Sequence, residues 1–179
     1  FSGKINVCGF KRPQSYYHDF VWGISKAPYI AVHKPENYGE SPASLLGLAG
    51  SSFLLDLAGN EGKPTIVDVY TTSQVELFLN GRSLGCKPAG RANRYIASFQ
   101  VVYKPGELGQ SEEKGVETSR SVLRTAGKPA GILLKPDRSV LKAEFGGLSY
   151  VTVGLVDAAG NICHNATNTI YFTVHGAAQ

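Results

Sequence analysis

Along residues 13–24 the apolar positions Tyr16, Tyr17, Phe20, Val21 and Ile24 recur at three- and four-residue spacing, the repeat that gathers one apolar stripe on a helix. Pro13 suits the first turn, where its missing N–H costs nothing, and Gly23 and Pro28 supply the stop. From Tyr29 the period changes. Residues 29–32 (YIAV), 52–57 (SFLLDL), 65–72 (TIVDVYTT), 75–81 (VELFLNG) and 94–103 (RYIASFQVVY) are short, β-branched or aromatic, and bounded by Gly, Pro or Asn, which predicts strands. Asn80-Gly81, between VELFL and RSLG, predicts a tight two-residue hairpin. Strands joined this way meander into sandwiches or barrels. The polar stretch 106–120 (GELGQSEEKGVETSR) holds four Glu and three Gly and reads as an exposed loop or a poorly ordered strand.

Residues 124–131 (RTAGKPAG) combine two Gly and a Pro with little bulk, a linker composition. A second strand set follows at 131–136, 139–144, 148–161 and 169–176. In its third member Val151, Val153 and Leu155 alternate with Thr152 and Gly154, the signature of one buried face, and residues 157–161 (DAAGN) read as a turn. An immunoglobulin-like sandwich takes about 100 residues and seven strands. The second set is therefore a small add-on or part of a larger domain, and its uncovered sheet edges predict self-association. The expected fold class is mainly β: an immunoglobulin-like β-sandwich preceded by one helix and followed by a second, incomplete β-sandwich.

Composition narrows the function classes. With 179 residues, 42% hydrophobic and 18% charged, the chain suits one or two folded domains. The net charge of +4 is scattered, densest at Lys11-Arg12 and at Arg91 with Arg94. That is not the clustered basic face of a nucleic-acid binder. No apolar run approaches the roughly 20 residues of a membrane helix, so neither nucleic acid nor membrane is expected as a partner. Residue 1 is Phe, so the natural start is expected upstream, and localisation stays open. Cys8, Cys86 and Cys163 lie far apart with no metal-ligand spacing. The Asn165-Ala166-Thr167 sequon matters only where the source glycosylates secreted proteins.

Catalytic chemistry leaves little trace. A glycosidase needs two carboxylates flanking the scissile bond, and Glu36, Glu40, Glu61, Glu76 and Glu144 each read as solvated residues. No nucleophile elbow, phosphate loop or dinucleotide fingerprint occurs, and His18, His33, His164 and His175 form no metal pair. No catalytic, cofactor-binding or metal residue is expected; substrate-binding residues stay unassigned. Trp22, Tyr29, Tyr38, Tyr95, Tyr103 and Tyr150 are candidates for stacking on sugar rings, a role they share with ordinary core packing.

Three ordered blocks carry a resemblance. Residues 8–23 (CGFKRPQSYYHDFVWG), 61–85 (EGKPTIVDVYTTSQVELFLNGRSLG) and 121–161 (SVLRTAGKPAGILLKPDRSVLKAEFGGLSYVTVGLVDAAGN) resemble the carboxyl-terminal portion of glycoside hydrolase family 2, the β-galactosidase-like and β-glucuronidase-like enzymes. The chain departs from the family at Leu55, Leu57 and Asn60, where relatives carry aromatics. The resemblance implies a retaining mechanism with an acid/base Glu and a nucleophile Glu on an upstream (β/α)8 barrel, so no Glu here takes either role. It implies a remnant of the last barrel helix over 1–27, a β-sandwich over 28–126 and a partial immunoglobulin-like domain over 127–179. The implied partners are carbohydrate, through the parent enzyme, and the barrel, against which Tyr16, Tyr17 and Phe20 would be buried. A carbohydrate-binding module and a purely structural module are the alternatives.

Overall fold

The computed structural model describes residues 5, 9–25, 27–33, 51, 52, 57, 59–112, 120–142 and 147–176. It divides into two compact units, Phe1–Thr125 and Ala126–Gln179.

The first unit opens with helix α1, Pro13–Val21. Arg12 stands at its N-cap in extended conformation, and Pro13 occupies the first turn. The helix ends at Val21, short of the apolar period that runs to Ile24. The Gly23 N–H donates to the Phe20 carbonyl (3.1 Å) and the Ile24 N–H to the Asp19 carbonyl (2.7 Å). These two bonds form a Schellman closure, which needs a left-handed residue just past the end, and Gly23 supplies it at φ 70°.

Eight strands follow: β1 Tyr29–His33, β2 Ser51–Ser52, β3 Pro64–Tyr70, β4 Val75–Leu79, β5 Arg82–Lys87, β6 Ile96–Val102, β7 Glu107–Glu112 and β8 Arg120–Arg124. They form two four-stranded antiparallel sheets, β2-β1-β3-β6 and β5-β4-β7-β8. Hairpins join β4 to β5 and β7 to β8, while β3–β4, β5–β6 and β6–β7 change sheet. This exchange between sheets is immunoglobulin-like. The core lies between the sheets. Ile30 and Val32 of β1, Val67 and Val69 of β3, Val75 and Leu77 of β4, Ala97, Phe99 and Val101 of β6, and Leu108 of β7 all point inward, as the period of two requires. At the β4–β5 turn Asn80 and Gly81 adopt φ 51° and 79°, both left-handed as a type I′ hairpin demands.

Two expectations change here. Strand β6 begins at Ile96 rather than Arg94, because Arg94 and Tyr95 are left-handed (φ 55° and 62°) and break the ladder. Part of the polar stretch 106–120 is strand β7, central between β4 and β8. Its inward positions are Leu108 and Gln110, opposite Leu79 and Leu77, and both are buried. A glutamine turned inward and Gly and Ser turned outward hid the alternation. Residues 113–119 lie outside the described residues, as do 53–56 of the expected strand 52–57; Leu57 is buried, and its N–H donates to the Tyr103 hydroxyl at 3.4 Å.

In the second unit β9 (Gly131–Pro136) pairs antiparallel with β10 (Val151–Val156). Asp137 closes one end: its carboxylate accepts from the Ser149 hydroxyl (2.8 Å) and the Tyr150 N–H (3.0 Å). Asp157 organises the DAAGN turn. Its Oδ1 accepts from the Ala159 and Asn161 N–H groups, at 2.9 and 2.8 Å. Its Oδ2 accepts from the Gly127 N–H and the Asn161 amide, at 2.8 and 3.0 Å. These donors favour the charged form and hold the carboxyl at about 2, below its usual range. The expected strands at 139–144 and 169–176 do not appear: residues 139–142 and 169–176 join no ladder, and 143–146 lie outside the described residues. The register puts Ile132, Leu134, Pro136, Val151, Val153 and Leu155 on one face of the ribbon, and Ile132, Leu134 and Val151 are more than half exposed. With little apolar partner surface, nothing rewards pairing of the flanking segments.

Candidate functional site

Three strands of the first sheet bring acid, base and hydroxyl together. Because Val67 and Phe99 point inward, Asp68 and Ser98 point outward, paired across β3 and β6, and His33 on β1 shares that face. The Ser98 hydroxyl donates to Asp68 Oδ1 at 2.6 Å, and His33 Nε2 meets Asp68 Oδ2 at 2.7 Å. The Thr65 hydroxyl donates to the His33 carbonyl. The order of contacts decides the chemistry. A nucleophilic serine hands its proton to an imidazole, which a carboxylate orients. Here the carboxylate sits in the middle and accepts the serine's hydrogen bond itself, so the trio is a polar clasp across β1, β3 and β6. The period of two placed Asp68 and Ser98 outward, but the register that joins them to His33 is not written in the sequence.

The expected acids are equally occupied or unplaced. Glu61 accepts the Gly59 N–H at 3.2 Å, and Glu76 accepts the Ser83 hydroxyl at 2.5 Å. Glu36, Glu40 and Glu144 lie outside the described residues. Among the described residues no three His, Cys, Asp or Glu gather to hold a metal ion.

The aromatic candidates separate by environment. Tyr103 is buried in the core, and Tyr38 lies outside the described residues. Tyr29 and Tyr95 join a second apolar cluster, between α1 and the outer face of the first sheet: Phe20, Ala31 and Tyr70, flanked by Tyr16, Tyr17, Tyr29, Tyr95 and Ile96. The Tyr16 and Tyr29 rings stack at 4.1 Å with planes 6° apart, Tyr29 lies 5.9 Å from Tyr70, and Tyr17 meets Tyr70 edge-on at 5.6 Å. Burial raises the Tyr29 and Tyr70 hydroxyls well above the usual phenol range. Lys11 Nζ reaches both Asp19 oxygens, at 3.1 and 2.8 Å, and lies 5.6 Å above the Tyr16 ring.

The partner expected for Tyr16, Tyr17 and Phe20 is therefore the chain's own sheet. What α1 leaves open is its other side. Val21, Trp22 and Ile24 are exposed, Trp22 to 68%, as is Phe10 before the helix. The Trp22 and His18 rings lie 5.2 Å apart. Tyr150 of the second unit is exposed too.

Comparison with known proteins meets this geometry. Residues 62–110 match a domain of unknown function (DUF4982), and residues 132–179 match the glycoside hydrolase family 2 C-terminal domain 5. A β-galactosidase of Bacteroides ovatus is 42% identical over 104 residues, 58% of this chain and 12% of that protein. A crystal structure of a glycosyl hydrolase family 2 member from Bacteroides cellulosilyticus superposes with TM-score 0.77 at 34% identity, covering 90% of this chain and 22% of the other. A β-glycosidase structure from Bacteroides vulgatus shares the fold, at TM-score 0.67 and 22% identity over 90% of this chain and 18% of the other. The chain thus spans about an eighth of the length of the β-galactosidase it matches.

Fold and matches together define a mainly β chain with an immunoglobulin-like sandwich, similar to portions of glycoside hydrolase family 2 members. More narrowly, the chain is a carboxyl-terminal portion of glycoside hydrolase family 2.

Proposed function

We propose that the chain is the non-catalytic carboxyl-terminal part of a retaining β-glycosidase that breaks down β-galactosides or related oligosaccharides, and that its sandwich buttresses the catalytic barrel. The observation that carries this reading is that α1 is sealed along one side while its carboxyl end and the residues just past it are apolar and exposed. The sealed side lies on the first sheet through Phe20, Tyr16 and Tyr17. The exposed end presents Val21, Trp22 and Ile24 to solvent. A helix sealed on one body whose end still presents an apolar cluster to solvent suits a place between two bodies, and a barrel's last helix, flanked by the next domain, is such a place.

In this reading the apolar face of the β9–β10 ribbon receives a second sheet of the same polypeptide, which closes an immunoglobulin-like core. The catalytic carboxylates belong to the barrel. The Asp68 clasp supports that assignment, because its serine is committed to a carboxylate.

The test is kinetic and structural together. The purified chain is expected to leave chromogenic β-galactosides and β-glucuronides intact, whereas the full-length protein hydrolyses one of them. Trp22→Ala is expected to shift the stability of the isolated chain by no more than about 0.5 kcal/mol, as an exposed substitution does, yet to lower the thermal midpoint of the full-length enzyme. Turnover by the isolated chain overturns the reading. So does a full-length Trp22→Ala enzyme with an unchanged midpoint, or heat of binding from the isolated chain titrated with galactose- or glucuronate-containing oligosaccharides.

A further inference from the structure

The Asn80-Gly81 turn carries chemistry of its own. In an Asn-Gly step the Gly nitrogen attacks the side-chain carbonyl carbon of the Asn, because no side chain on the Gly crowds the approach. The new C–N bond closes a five-membered succinimide, the Gly nitrogen loses its proton, and the former amide nitrogen leaves as ammonia. Water then opens the ring at one of its two carbonyls, giving aspartate or the backbone-shifted isoaspartate. Nothing beyond water is consumed, and no electrons change hands. Asn80 and Gly81 are both exposed, and nothing lies within 4 Å of the position a Gly81 side chain would take.

The fold, however, holds the reacting amide. Asn80 Oδ1 accepts the Glu107 N–H at 2.7 Å, and its Nδ2 donates to the Pro105 carbonyl at 3.0 Å. The Asn80 N–H also donates to the Glu107 carbonyl at 2.8 Å. The amide sits against Gly106, where a Cβ would come within 1.9 Å of Asn80 Oδ1. Gly106 itself is fixed, its N–H donating to the Thr125 hydroxyl at 3.1 Å. The side chain therefore latches the tip of the β4–β5 hairpin onto the start of β7, an interior strand of that sheet. Ring closure requires Cγ to swing toward the Gly81 nitrogen, which breaks both amide hydrogen bonds.

We infer that Asn80 is a spontaneous deamidation site gated by the fold: protected while the latch is closed, reactive whenever the hairpin tip opens, and irreversible in effect once it reacts. Aspartate at this position replaces the Nδ2 donor with an oxygen that faces the Pro105 carbonyl. Isoaspartate adds a backbone carbon to a two-residue turn whose left-handed dihedrals leave no room for one. Either product opens the latch that delayed its formation, so damage accumulates in chains that have already unfolded locally.

The test follows the mass gain of one dalton on the proteolytic peptide spanning 80–81, in the intact chain incubated at mildly alkaline pH with and without denaturing urea. The folded chain is expected to react roughly tenfold or more slowly than the unfolded one, the protection that a closed hydrogen-bonded segment confers. Gly106→Ala, which displaces the amide from its slot, is expected to raise the folded-state rate toward the unfolded one. Asn80→Asp is expected to lower the thermal midpoint by about 4 °C or more. Equal rates in folded and unfolded chains overturn the gating, and no mass gain in either overturns the site. An Asn80→Asp protein that melts with the wild type overturns the latch, independently of whether Gly106→Ala folds.

Discussion

Gln110 is the side chain whose replacement should strengthen this fold. It sits on the inward face of β7, opposite Leu77 of β4 and Ser121 of β8, at 1% exposure. Neither its Oε1 nor its Nε2 has a hydrogen-bond partner among the described residues. An amide taken from water without replacement bonds costs about 1–3 kcal/mol by mutational measure. Gln110→Met keeps the length and the unbranched shape while deleting both polar atoms, so little cavity or overpacking cost should offset the gain. The expected result is a stabilisation of about 1–3 kcal/mol, or roughly 3–10 °C for a unit of this size. Urea unfolding followed by far-ultraviolet circular dichroism measures it, with the slope unchanged so that the shift reports stability rather than a different unfolded state. Gln110→Glu, which puts a carboxylate in the same slot, is expected to move the midpoint the other way, since an unpaired buried charge costs more than an unpaired amide. A Gln110→Met protein no more stable than the wild type refutes the reasoning, because it would mean that the amide is satisfied in solution.

Three further outcomes follow from the packing and the charges. Leu77→Ala empties a fully buried position of the sandwich core and is expected to cost about 2–5 kcal/mol; a loss under about 1 kcal/mol in equilibrium unfolding contradicts the core assignment. Asp68→Ala removes the acceptor shared by His33 and Ser98. It is expected to cost about 1–3 kcal/mol while ester hydrolysis stays at background before and after, so measurable esterase activity that vanishes with the substitution contradicts the clasp. Asp157 titrates at about 2 when folded against an ordinary 3.8. Its contribution is therefore complete above about pH 4 and lost as pH falls from there toward 2. A carboxyl carbon-13 titration should give Asp157 a midpoint near that lower value, and Asp157→Asn should flatten the acid side of the stability profile; a midpoint near 4 contradicts the turn geometry.

What the sequence disclosed and what it hid divide along physical lines. Local chemistry was legible. Pro13 and Gly23 bracket the helix, Asn80-Gly81 makes the hairpin, and the alternation of β6 points Ala97, Phe99 and Val101 inward, each because a backbone dihedral or a side-chain period is set within a few residues. Strand β7 was hidden because one of its two inward residues is a glutamine, so the inward alternation of Leu108 and Gln110 existed in geometry but not in composition. The clasp was hidden because it depends on how three strands are aligned, and alignment is settled by the whole sheet. The second unit shows the converse failure. Residues 169–174 carry a strand's composition and form no ladder, because β propensity rewards packing against neighbours rather than extension itself. Tyr171, Phe172 and Val174 are exposed among the described residues.

The helix shows how a correct pattern can carry a wrong partner. Tyr16, Tyr17, Phe20, Val21 and Ile24 all fit one helical period, and a single period implies a single buried face. The structure splits that set. Tyr16, Tyr17 and Phe20 lie on the sheet, while Val21 and Ile24, with the adjacent Trp22, stay in solvent. The inner group is secured by ring contacts of Tyr16 with Tyr29 and of Tyr17 with Tyr70, partners spread along the chain and invisible to any window of local sequence. The outer group cannot be there to stabilise this unit, since it touches little of it. Val21 at the helix end and Trp22 and Ile24 just past it stay exposed, and Trp belongs to the residue types enriched where interfaces concentrate their energy.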